Sequence, residues 1–186
     1  IELDEGNNGD VVINVSNSIF DFNGEYCLIG DFVPGDACDD DGEADVDDAF
    51  DVDEAGDGSV IGRVANLTVV NNFDEGLDFD EEGTGGFDLD VVNVYAENNA
   101  DESVKASEED DGNTVARLRN VITDGDLEFE EEGVGIVDVT IYGSNVGDDM
   151  KLAAENAGAD TTGGFYKARG TTVADELDIE GDIEIL

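Results

Sequence analysis

Apolar and charged residues alternate in short runs that recur along the chain. "LDFDEE", from Leu77, is followed by glycines and a second alternating run, and "LEFEEE", from Leu127, repeats the arrangement. Aligned on this opening, units start at Ile1, Phe50, Leu77, Val104, Leu127, Met150 and Leu177, and the steps after Phe50 are 27, 27, 23, 23 and 27 residues. The first and third positions are apolar in every unit, from Ile1 and Leu3 to Leu177 and Ile179, and the second is always charged. A period of two sends these sets to opposite faces of a strand. A second strand is predicted after the glycines, as in "DVVINV", "VIGRVANLTVV" and "GFDLDVVNVY". Corners such as Asn71-Asn72 and Asn98-Asn99 follow it, since asparagine tolerates the left-handed backbone that tight corners need.

Short strands and corners repeating every 20 to 30 residues predict an all-β chain, a parallel β-helix or solenoid. The expectation is one domain over residues 1–186 with seven to eight coils of about 25 residues. The gap of 49 residues between Ile1 and Phe50 is about two units, so a disturbed unit is expected near Cys27. An antiparallel sandwich gives no reason for equivalent columns at a fixed interval. The pattern resembles right-handed parallel β-helix proteins, the architecture of pectin-degrading enzymes and of many surface and fibre proteins. That resemblance implies a fold and leaves function open.

Charge changes the picture most. The chain carries 51 Asp and Glu against 7 Lys and Arg, a formal charge of -44. In a solenoid, equivalent residues of successive coils stand about 4.8 Å apart. Position four then stacks Asp53, Asp80, Ser107 and Glu130; position five stacks Glu54, Glu81, Glu108 and Glu131; position six adds Glu82, Glu109, Glu132 and Glu155. Two unit charges at that spacing repel by roughly 3 kcal/mol at an effective dielectric near 20. Hard divalent cations with oxygen ligands are natural partners, so a row of several Ca²⁺ ions is expected along one outer edge. Halophilic adaptation, with acids holding hydrated salt cations, is the competing reading. At position two the sign alternates through Asp78, Lys105, Glu128, Lys151 and Asp178, which predicts salt bridges between coils.

Cys27 and Cys38 are the only thiols, and a local disulfide closing the acidic loop around residues 34–48 is favoured over a metal site. A disulfide points to an oxidising, extracellular or cell-surface location. Within that loop "GDACDDDG" resembles a thrombospondin type 3 repeat, an extracellular module of acidic loops wrapped on Ca²⁺. The resemblance implies Asp39, Asp41, Asp45 and Asp48 as ligands. In that family cysteines pair between repeats, whereas Cys38 has only Cys27 here.

Such acidity disfavours nucleic acid and anionic membrane surfaces as partners, and no apolar run approaches a membrane span. The chain begins at Ile1 without Met, which suggests a processed or trimmed product. The absence of His removes the commonest general base. Arg63, Arg117 and Arg119 on the second strand, with Lys105 and Lys151 on the first, are the candidate bases if the chain were a polysaccharide lyase, and surface polysaccharide stays an alternative partner. The pattern as a whole resembles calcium-stabilised fibres and adhesin stalks. The expectation is a non-catalytic structural solenoid, a homopolymer stacking head to tail through end rungs that carry no cap.

Overall fold

The computed structural model describes residues 1–23, 48–154 and 163–186. Two parallel sheets wind around a common core, and no helix occurs among the described residues. The first sheet has seven strands: Glu2–Glu5, Phe50–Glu54, Leu77–Glu81, Val104–Glu108, Leu127–Glu131, Met150–Ala154 and Leu177–Glu180. Its register follows the sequence columns. Phe50 pairs with Leu77, Leu127 with Val104 and Met150, and Met150 with Leu177. The main path of the second sheet runs through Val11–Ser16, Val60–Val70, Gly86–Glu97, Asn113–Thr123, Ile136–Tyr142, Gly164–Arg169 and Glu184–Ile185.

Positions one and three of the first sheet fill the interior, because alternation turns both inward. Leu77, Phe79, Leu127, Phe129, Met150 and Leu152 are all fully buried. Phe79 meets Phe50 edge-on with ring centroids 6.1 Å apart. Inward residues of the second sheet, Val91, Leu118, Val139 and Ile141 among them, close the core from the other side.

The described residues make about five turns, fewer than the seven to eight expected from the spacing. The long first interval explains part of the difference. Glu2 pairs directly with Asp51 and Leu3 with Val52, so no rung lies between those two strands. The disturbed unit expected near Cys27 falls on residues 24–47, outside the described residues.

One corner was not anticipated. The longest second-sheet strands change direction of alternation at Asn66, Asn93 and Asn120, whose φ angles are 57°, 54° and 54°. Pairing runs to Ala65 with Val92, omits the asparagines, and resumes at Leu67 with Val94. Each side-chain amide donates to the turn before it: Asn66 Nδ2 to Asn17 Oδ1 at 3.2 Å, Asn93 to Asn66 at 2.9 Å, and Asn120 to Asn93 at 2.9 Å. At the next corner, Asn98 donates to Asn71 and Asn71 to Asp21, both at 2.9 Å. Here φ is 59° at Asn71 and 60° at Asn98, the left-handed geometry expected of these corners.

The ladder answers two demands with one residue type. A left-handed angle costs an ordinary L-residue about 1–2 kcal/mol, and each amide bond returns about 1 kcal/mol. Asn93→Ala is expected to lower stability by about 2 kcal/mol and Asn93→Gly by about half as much, measured by urea denaturation. Equal losses would remove the backbone angle from the explanation.

Candidate cation-binding sites

Position five does not lie on the outer edge, as expected from its charge, but inside the solenoid. Glu54, Glu81, Glu108 and Glu131 are all 0% exposed. They pair in register from turn to turn, with Glu5 ahead of Glu54 at the first rung. Strand alternation is the cause: a residue two places beyond Phe79 or Phe129 points the same way they do.

Glycine loops make room for these carboxylates. Four residues after each glutamate stands Gly58, Gly85, Gly112 or Gly135. A Cβ on Gly58 would meet Glu54 Oε1 at 2.8 Å, and one on Gly85 would meet Glu81 Oε1 at 2.9 Å. Backbone N–H groups of the loops donate into the file: Gly58 to Glu54 at 3.2 Å, Gly83 to Glu81 at 3.1 Å, and Asp110 to Glu108 at 3.2 Å. Burial pushes Glu54 up to about 7 and Glu108 up to about 9, and neighbouring glutamates add to both shifts. Glu131 is also raised, chiefly by burial.

The outer acids form a different arrangement. Glu82, Glu109 and Glu132 are exposed, Asp53 and Asp80 are half-buried, and Glu130 is buried. Lys105 Nζ lies 3.2 Å from Asp78, 3.5 Å from Asp80 and 3.6 Å from Glu75. Lys151 reaches Glu128 at 3.4 Å and also pairs with Glu130. Both lysines thus bond to the preceding turn. Lys105 stands level with Glu128, and Lys151 with Asp178, on the following turn. Burial works to lower Lys105, but Asp78, Asp80 and Glu75 more than reverse it, and its pKa is raised.

Three carboxylate groups have ligand atoms within 4.8 Å of one another: Asp48 with Asp51 and Asp78, Asp48 with Asp74 and Glu75, and Asp148 with Asp149 and Asp175. The first is the best enclosed. Asp51 and Asp78 are each 6% exposed, and Asp78 Oδ1 is buried without a hydrogen-bond partner. Burial and the hydrogen bond with Glu75 push Asp48 up to about 9. Burial and the charge of Asp80 push Asp78 up to about 8, against the pull of Lys105. These values mark a site short of positive charge. Other corner acids serve the backbone: Asp126 Oδ1 accepts the Asp149 N–H and Asp149 Oδ1 accepts the Glu176 N–H, both at 2.8 Å.

Asp39, Asp41, Asp45, Glu155, Cys27 and Cys38 lie outside the described residues, so of the four loop ligands only Asp48 is placed. Arg63, Arg117 and Arg119 stand on the outer face of the second sheet. Arg63 and Arg119 share Asp90, at 3.1 Å and 2.8 Å, while Arg117 pairs with Asp88. No family model, no curated protein and no solved structure matches this chain.

Proposed function

We propose that this protein is a structural β-solenoid of the cell exterior, an acidic rod that binds Ca²⁺ on its flank and stacks end to end. The observation that carries the reading is the group formed by Asp48, Asp51 and Asp78. Three carboxylates converge there, and one buried oxygen has no donor. An all-oxygen donor set suits a hard cation, and Ca²⁺ tolerates the irregular geometry of residues drawn from successive turns. A bound ion would replace repulsion between turns by a shared bridge.

End-to-end stacking has separate support. Ile1, Val12 and Ile19 are exposed at one end rung, and Ile185 and Leu186 at the other. In an end-to-end stack a second copy would cover these exposed apolar side chains on the outer rungs.

Calcium titration followed by thermal melting tests the cation site. Added Ca²⁺ is expected to raise the melting temperature, and Asp48→Asn with Asp78→Asn to weaken calcium affinity at least tenfold, measured by calorimetry. Equal stabilisation by KCl would assign the acids to salt adaptation instead. Sedimentation of wild type with and without chelator reads assembly, and a chain that stays monomeric in both defeats the stacking proposal.

A further inference from the structure

We propose that the interior file Glu54–Glu81–Glu108–Glu131 is a proton-binding site, in which carboxyl groups of successive turns share protons at neutral pH and so hold the turns together. The file is more than an acidic cluster. All four side chains are wholly buried, and Glu54 Oε1, Glu81 Oε2, Glu108 Oε2 and both carboxylate oxygens of Glu131 have no hydrogen-bond donor. Four bare carboxylates at turn spacing are incompatible with a stable interior, where charge is costly and repulsion unscreened. Something must occupy the space between them.

Geometry favours protons over metal. Glu108 stands within hydrogen-bonding reach of both Glu81 and Glu131, and Glu54 within reach of Glu81. A carboxyl O–H on one of these side chains would donate to the carboxylate of the next turn, a charge-assisted bond. At Glu54, Glu81 and Glu108 a loop N–H holds one oxygen and leaves the other without a donor. One proton taken from water for each pair, Glu54 with Glu81 and Glu108 with Glu131, satisfies one oxygen of each glutamate and leaves only the second oxygen of Glu131. Among the described residues, the groups of three carboxylates close enough to share an ion lie elsewhere, at Asp48, Asp74 and Asp148 with their neighbours.

The surroundings supply no competing cation. Lys105 and Lys151 are engaged by acids on the outer side of the first sheet. From the glycine loops, Asp111 adds negative charge against Glu131. The second sheet turns apolar side chains, Thr114 and Tyr166 inward; Thr114 donates to the Glu130 carbonyl, and Tyr166 stays neutral because burial raises it. The file has one mouth. At the first rung Glu5 is partly exposed and held low by the Asn7 N–H, while Glu54 behind it is raised by burial. The other end is closed by Ala154.

Folded-state values above the ordinary carboxylate range give stability that is full in acid and is lost as pH rises through about 7 to 9. Infrared spectroscopy of wild type at neutral pH is expected to show the carbonyl band of protonated carboxyl groups, shifted in D₂O. Glu81→Gln with Glu108→Gln should remove the interior share of that band, leaving what Asp48 and Asp78 contribute, and more than halve the fall in melting temperature across the same pH range. Asp78→Asn, on the outer face, should leave the interior share of the band in place. If the double variant does not fold, Glu108→Gln in the Asp78→Asn background provides the same comparison. Absence of the band in wild type overturns the proposal. So does Ca²⁺ uptake in dialysis that Glu81→Gln abolishes and Asp78→Asn does not, since cations would then fill the file.

Discussion

Gly85→Ala is expected to lower stability by more than about 4 kcal/mol, the range reserved for severe core damage. The added Cβ would stand 1.4 Å from the carbonyl oxygen of Gly58 on the preceding turn and 2.9 Å from Glu81 Oε1. The nearer clash is with backbone, so no side-chain rotation relieves it and the turns themselves must separate. Separation would open the glutamate cradle and the ladder on both sides. Gly6→Ala is the control, because nothing lies within 4 Å of its Cβ position, and it should change stability by less than about 0.5 kcal/mol. Urea denaturation midpoints compare the two. If Gly85→Ala unfolds at the wild-type midpoint, the turns do not stack this closely.

Lys105→Met is the second large effect, expected at about 3 kcal/mol in mildly alkaline solution. The lysine side chain is 24% exposed and faces three carboxylates, of which Asp78 is the best buried. Removing one partner of a mostly buried pair leaves uncompensated charge, which costs about 3–5 kcal/mol when burial is complete. Methionine keeps most of the stem and removes the ammonium. The pH dependence follows from the acids left behind. Asp78 lies at about 8 even with the lysine present, so below that value it takes a proton and needs no counter-charge. The loss should therefore shrink on acidification and grow on the alkaline side, read from thermal melts at both extremes. A loss that ignores pH would assign the contribution of Lys105 to its aliphatic stem.

The register of the first sheet was legible because Leu77 and Phe79, Leu127 and Phe129, and Met150 and Leu152 write the same inward pattern. The second sheet was legible as strand, but its corner at Asn66, Asn93 and Asn120 was not. Each of those residues sits alone between β-formers, and only the recurrence of Asn at 27-residue steps marks the ladder. The inward position of the glutamate file is carried by the same alternation. The pattern that sends Phe79 inward sends Glu81 inward as well, against the general tendency of carboxylates to face water. The glycine four residues after each glutamate was the signal available, since a loop that must leave space for a buried carboxylate cannot carry a side chain there. The Asp48, Asp51 and Asp78 group was harder to see. It joins residues from two strands and the corner before one of them, and only the three-dimensional register brings them together.

Asn23 and Asp48, the described residues that flank positions 24–47, also show where such a molecule can change. Asn23 remains bonded to Asn72 of the next turn, its N–H at 3.0 Å and its amide at 2.9 Å from Asn72 Oδ1, and Asp48 accepts the Glu75 N–H at 2.8 Å. Both flanking residues are thus pinned to the neighbouring turn. Lengthening a segment whose flanks are already held adds little closure entropy, about 0.6 kcal/mol per doubling. A tag or a whole small domain inserted between Asn23 and Asp48 should therefore leave the stacked turns in place.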